Sequence, residues 1–255
     1  MPYLDVGLDR LFYARRVRGQ PINVLFVHGA GGRHQIWGHQ LQHLKAANTY
    51  ALDLPGHGQS GGDGRRSIEA YRDVVVAFLD AAGLERTVLV GHSMGGAITQ
   101  SFALSYPERL DGIVLVGTGA RLRVLPAILD GLSSNFAGTV QLITGHAYSQ
   151  QADPELVAQG QAELLDNRPE VVHGDFLACD RFDLMARVSD ISVPTLVICG
   201  DEDALTPPRY AVFLHEAVPQ AKLTLIDGAG HMVMLEQPEA MTQAIARFLR
   251  TSMSP

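Results

Sequence analysis

Along this chain, short runs of apolar and β-branched residues alternate with longer stretches whose apolar positions recur at helical spacing. Asn23–His28 (NVLFVH), Tyr50–Leu54 (YALDL), Thr87–Val90 (TVLV), Gly112–Val116 (GIVLV), Thr195–Cys199 (TLVIC) and Lys222–Ile226 (KLTLI) read as strands. Their near-continuous hydrophobicity suits parallel strands covered on both faces. Between them the spacing predicts amphipathic helices over about Ile36–Ala47, Ser67–Ala82, Met94–Tyr106, Pro208–Ala217 and Gln237–Arg250. Strand followed by helix, repeated, implies right-handed crossovers and an open α/β sheet, mostly parallel and doubly wound. Tyr3–Val6 and Leu11–Arg16 are expected to pair as an edge hairpin, with Gly7 and Asp9 suited to the turn.

The alternation stops after Val116. From Gly119 to about Val188 only helical patterns occur, punctuated by Pro126, Pro154 and Pro169. So long a stretch does not suit a loop in a compact fold. Residues 119–188 are therefore read as a helical cap inserted into a core formed by residues 1–118 and 189–255. The insertion carries more apolar surface than it can bury internally. Leu125, Leu129, Phe136, Tyr148, Phe176 and Phe182 are candidates to line an apolar pocket beneath it.

The strongest chemical signal is Val90-Gly91-His92-Ser93-Met94-Gly95-Gly96, in which a buried strand runs into Gly-x-Ser-x-Gly and a helix starts at once. A turn this tight leaves no room for side chains beside the serine, and it lifts the hydroxyl clear of the strand end. It also aims the first N–H groups of the helix at the same point, where a developing negative charge is favoured. A serine hydroxyl needs a base, and the base an orienting acid. In a parallel sheet these should come from the carboxyl ends of other strands. Two loops qualify: Gly200-Asp201-Glu202-Asp203 after one strand, and Asp227-Gly228-Ala229-Gly230-His231 after the next. An inert serine in a structural turn is the competing reading of the elbow alone, and Asp201 and Asp203 both remain open as the acid.

Composition narrows the partners. Twenty Lys and Arg against 27 Asp and Glu give a formal charge of -7, so there is no basic footprint for nucleic acid or an anionic membrane. No apolar run approaches the roughly 18 residues that span a bilayer. Asp5 and Asp9 fall where a secretory signal would be apolar. With two cysteines, Cys179 and Cys199, no disulfide framework is expected, and the economical expectation is a cytoplasmic protein with reduced thiols. The ten histidines form no HExxH or similar spacing, so neither a metal nor another cofactor is expected. His28 should hold the loop that follows its strand, His92 should pack under the elbow, and His34, His39 and His43 should be solvated.

The segments His28-Gly29-Ala30-Gly31-Gly32, Asp53-Leu54-Pro55-Gly56-His57-Gly58-Gln59-Ser60, the serine elbow, Gly200–Pro207 and Gly230-His231 together resemble the α/β-hydrolase superfamily, in its group of serine esterases, lactonases and C–C bond hydrolases. The resemblance covers the chain outside the insertion. It implies a triad of Ser93, Asp203 and His231, Asp203 being chosen over Asp201 by its distance from the strand-ending glycine. It also implies an oxyanion hole made by the backbone N–H groups of Ala30 and Met94, and a structural role for His57. Trp37, after the Ala30 loop, is a candidate either for the pocket wall or for the core. The expected activity is cofactor-independent hydrolysis of a small-to-medium apolar carboxylic ester, by a monomer or homodimer acting on a small molecule. Enol-lactone and C–C bond (vinylogous diketone) hydrolysis are the alternatives, and a slow-turnover ligand receptor the remote one. Met232 stands where C–C hydrolases of this type usually carry tryptophan, which disfavours that chemistry.

Overall fold

The computed structural model describes residues 3–252 of the 255-residue chain. Its strands are β1 (Tyr3–Val6), β2 (Asp9–Arg16), β3 (Asn23–Val27), β4 (Asn48–Leu52), β5 (Thr87–His92), β6 (Leu110–Val116), β7 (Thr195–Gly200) and β8 (Lys222–Ile226). They form one sheet in the order β1-β2-β4-β3-β5-β6-β7-β8. β1 pairs with β2 and β2 with β4 antiparallel, and the remaining pairs are parallel. After β3 the chain first steps to one side, to β4, and then returns to the other side with β5. The strand order therefore reverses between β3 and β5, so the loops leaving their carboxyl ends diverge and open a crevice there.

Helices α1 (Gly38–His43), α2 (Ile68–Ala81), α3 (Met94–Ser105), α8 (Pro208–Ala217), α9 (Val233–Glu236) and α10 (Pro238–Ser252) surround the sheet. On α2, Ile68, Tyr71, Val74, Val75, Phe78 and Leu79 recur at helical spacing and are buried, and the Ser67 hydroxyl caps the helix by accepting from the Ala70 N–H at 3.2 Å. They join residues of α3 and α8 in one apolar layer, while Trp37, Leu41, Ile245 and Phe248 belong to the layer on the other face. α3 is buried almost all round, because α2 and an inserted helix both pack on it.

Between β6 and β7 lie four helices and no strand of the sheet: α4 (Pro126–Ser134), α5 (Phe136–Ala147), α6 (Pro154–Leu165) and α7 (Pro169–Arg181). Proline sits in the first turn of α4, α6 and α7, where its missing N–H has no intrahelical role.

The boundaries depart from the sequence pattern in instructive ways. The helix expected over Ile36–Ala47 is a 3₁₀ turn, His34–Trp37, followed by the six-residue α1. The chain then turns early so that Leu44 and Ala47 enter the core and Asn48 begins β4. β4 ends at Leu52 rather than Leu54, because the Asp53 carboxylate turns to accept the N–H groups of His34 and Gln59, at 2.6 and 2.9 Å. The last predicted helix is preceded by a separate short one, α9.

Phe78 is fully buried. Phe78→Ala is expected to cost about 3–5 kcal/mol of unfolding free energy, from lost burial and the cavity left behind, as read by urea denaturation.

Candidate active site

The serine turn is set by excluded volume. A Cβ at Gly91 would overlap the carbonyl of Gly95, and one at Gly95 would overlap the carbonyl of Val27. With both positions reduced to backbone, the last residues of β5 and the first of α3 approach closely, and Ser93 between them takes φ 54° and ψ −115°. Few non-glycine residues adopt a positive φ, and the cost is of order 1–3 kcal/mol. The strain is held by hydrogen bonds: the Ser93 N–H donates to Val116 O at 2.9 Å, and its carbonyl accepts from the Thr118 hydroxyl at 2.9 Å and the Gly96 N–H at 2.9 Å.

At the carboxyl ends of β7 and β8, Asp203 and His231 meet. His231 Nδ1 lies 2.9 Å from Asp203 Oδ2, with both residues buried. The same carboxylate accepts the N–H groups of Leu205 and Thr206, at 2.9 and 2.8 Å, and the Thr206 hydroxyl at 2.8 Å. Burial alone would push the Asp203 carboxyl up, but the adjacent imidazole and these donors together hold it below the ordinary aspartate value. An ionised Asp203 can only accept, so Nδ1 of His231 carries the hydrogen of this pair, which in a neutral imidazole leaves Nε2 as an acceptor. Asp201, the rival acid, is exposed and instead accepts the Gly228 N–H at 2.8 Å across the turn.

Ser93 and His231 lie on the wall of one cavity of about 510 Å³, together with Gly29, Ala30, Gly31 and Gly32. Among the described residues the Ser93 hydroxyl has no hydrogen-bond partner, and neither do the Ala30 and Met94 amides. Catalytic hydrogen bonds are often longer in a ligand-free site than with substrate bound.

The cavity wall comes largely from the inserted helices. Leu125, Tyr148 and Phe176 line it, joined by Leu122, Ile128, Ile143, Leu164 and, from the core, Met232. Trp37, Leu129, Phe136 and Phe182 do not. Trp37 is fully buried against Phe26, with ring centroids 4.9 Å apart, in the layer on the other face of the sheet. Leu129 is one residue, about 100°, round α4 from Ile128 and turns away. Phe136 packs with Leu132, Ile143 and Val172 inside the insertion, and Phe182 is buried where α7 meets the core. Cys179 also borders the cavity, but burial pushes its thiol well up, so it offers no thiolate to compete with Ser93.

The other histidines pack around the site. His92 is buried at the elbow with its ring 6.5 Å from that of Trp37, also borders the cavity, and donates from Nε2 to the His231 carbonyl at 3.0 Å. Burial pushes its pKa well down, so the ring is neutral. His34 is half-buried and pairs with Asp53 at 3.0 Å. His28 does hold its loop: Nδ1 donates to Gly29 O at 2.8 Å, Nε2 accepts the Leu54 N–H at 3.0 Å, and burial lowers its pKa to about 4. Thr206 and Glu236 were not singled out from sequence. Glu236 accepts the N–H groups of Gly230 and Ser149, at 3.0 and 2.8 Å, and so ties the His231 loop to the insertion. A carboxylate five residues after a candidate base carries no motif, and only the fold shows what it caps.

Among the described residues no group of three or more His, Cys, Asp and Glu could hold a metal ion, and no helix is long and apolar enough to cross a membrane.

A family model for the α/β-hydrolase fold matches residues 22–238. The putative carbamate hydrolase RutD of Azorhizobium caulinodans is 31% identical, the alignment covering 97% of this chain and 98% of that protein. A pimeloyl-[acyl-carrier protein] methyl ester esterase of Pectobacterium carotovorum is 28% identical over 89% of this chain and 93% of its own length. Among solved structures, a thermophilic esterase superposes with a TM-score of 0.87 at 38% identity, covering 98% of this chain and 97% of that one.

Because the folded-state pKa of Asp203 lies below the ordinary 3.8, its ionised form adds stability above that value, and the contribution is lost as pH falls through the depressed folded value. Asp203→Asn removes this titration. Its stability relative to the unsubstituted protein should therefore improve as pH is lowered from 7 to about 3, as measured by urea unfolding at each pH.

Proposed function

The chain belongs to the α/β-hydrolase family, and from that premise we propose that it hydrolyses small-to-medium, uncharged, apolar carboxylic esters through an acyl-enzyme on Ser93. The observation that carries the reading is the buried Asp203–His231 pair, whose histidine lines the cavity that Ser93 also borders.

In this reading His231 Nε2 takes the Ser93 proton as the hydroxyl attacks the ester carbonyl. Asp203 keeps the imidazole in the required tautomer and stabilises the imidazolium that forms. The oxyanion is received by the Ala30 and Met94 amides, and one such donor is worth about 3–4 kcal/mol in the barrier. Once the alcohol has left, His231 activates water to release the acid. The inserted helices of residues 119–188 act as a cap over the core, supplying an apolar wall that holds the substrate and excludes bulk water.

The wall favours an uncharged acyl group. One guanidinium, Arg123, stands on the wall, with one of its nitrogens donating to the Asp180 carbonyl at 2.9 Å, among lining side chains that are mostly apolar. Ester cleavage rather than C–C cleavage is supported by the esterase at 38% identity and by Met232 on the wall. Enol-lactones, which are esters closed on themselves, are open to the same machinery.

Ser93→Ala is expected to lower kcat for a p-nitrophenyl alkanoate by roughly 10⁴–10⁶-fold with the melting temperature nearly unchanged. Activity equal to that of the unsubstituted protein would end the proposal. His231→Ala is expected to lower kcat by a comparable factor, and full activity in that variant would remove His231 as the base.

A further inference from the structure

We infer that Asp175 and Asn167, both contributed by the insertion, are positioning residues that hold the Ala30 amide ready for the oxyanion by gripping the two peptide groups of Gly31. The inference rests on the esterase reading above and deepens it.

The loop after β3 is a four-residue turn. The Gly32 N–H donates to Gly29 O at 3.0 Å, and Gly31, at the third position, has φ 62°. That sign of φ is what a type II turn requires there. The Gly29 carbonyl also accepts from His28 Nδ1 at 2.8 Å. A trans peptide directs its C=O and N–H to opposite sides, so fixing Gly29 O also fixes the direction of the Ala30 N–H. The next peptide, Ala30–Gly31, is the weak point. In an isolated turn it can rotate between two orientations, and rotation drags its neighbours with it.

Asp175 and Asn167 remove that freedom. Asp175 Oδ2 accepts the Gly31 N–H at 2.8 Å, across 144 positions of sequence. Asn167, between α6 and α7, donates from Nδ2 to the Gly31 carbonyl at 2.9 Å. One group holds the peptide before the Gly31 Cα and the other holds the peptide after it. Rotation of either peptide would break a buried hydrogen bond.

The carboxylate is itself built in. Asp175 is fully buried on α7, and its other oxygen accepts the Tyr71 hydroxyl at 2.5 Å. His57 Nε2 lies 2.7 Å from Asp175 Oδ2, and His57 Nδ1 lies 3.0 Å from the Pro55 carbonyl. A carbonyl and a carboxylate both accept, so both ring nitrogens donate and the ring is an imidazolium. Burial works against that charge, but Asp175 outweighs it and His57 is held above its ordinary value. A negative charge buried beside the turn is thereby neutralised without weakening its hold on Gly31.

The test uses the full-length protein, a p-nitrophenyl ester, and an alkyl boronic acid as a probe that forms a tetrahedral adduct. Asp175→Ala and Asn167→Ala are each expected to lower kcat by about tenfold or more, with KM within about threefold, and to weaken the boronate by a similar factor. Asp175→Asn, which keeps an acceptor for the Gly31 N–H, is expected to recover part of the loss. Melting temperatures identify any variant that fails to fold, and Asn167→Ala carries the test if Asp175→Ala is one. Variants that melt earlier yet keep kcat and boronate affinity would overturn the inference and reduce both residues to structural ties. If the unsubstituted protein shows no Ser93-dependent hydrolysis and no boronate binding, the esterase reading itself fails, and the inference with it.

Discussion

The site depends on a steric constraint: nothing larger than hydrogen fits on the Cα of residues 91 and 95. With no side chain at 91, β5 and α3 meet closely, and with none at 95, α3 seats against the end of β3; Ser93 between them takes a positive φ at the head of the helix. The rest of the geometry follows from that position. The reversal of strand order between β3 and β5 opens a crevice beside the serine, the Gly29–Gly32 turn occupies one side of it, and the end of β8 brings His231 to the same cavity, with Asp203 from the end of β7 buried behind it. A local backbone cost of order 1–3 kcal/mol is supportable because Val116, Thr118 and Gly96 bond the Ser93 backbone.

Much of this was legible in the linear pattern. All eight strands are present where the apolar runs or the edge hairpin predict them, and β3 to β7, buried on both faces, carry the strongest signal. The elbow was legible because its glycines answer to a backbone requirement that no other residue meets. The resemblance implies Asp203 rather than Asp201, and the two carboxylates differ in their partners: the donors of Leu205, Thr206 and His231 converge on Asp203, while Asp201 accepts a turn N–H. Helix ends were less legible. Residues 36–47 have helical spacing, yet the need to bury Leu44 and Ala47 ends α1 early.

The cavity wall was the least legible part. An apolar residue on an inserted helix can face the core, the helix beside it or the cavity, and composition does not distinguish these. Hence Phe136 and Phe182 fill interior space, while Ile128 and Leu164 face the cavity. Buried polar partners were hidden for a related reason. Asp175, Asn167 and Glu236 are single residues with no spacing signature, and their roles depend on partners far away in sequence. Through them the insertion does more than line the cavity: it supplies hydrogen bonds to the turn bearing Ala30 and, through Ser149 and Glu236, a tie to the loop bearing His231.

The most direct test of the central claim is the intact mass of the protein after exposure to an alkyl fluorophosphonate, followed by peptide mapping. The account predicts one phosphonyl adduct per chain, located on Ser93, with its formation slowed severely when His231 is replaced by alanine. An unmodified protein, or an adduct carried by another residue while Ser93 stays free, would contradict it.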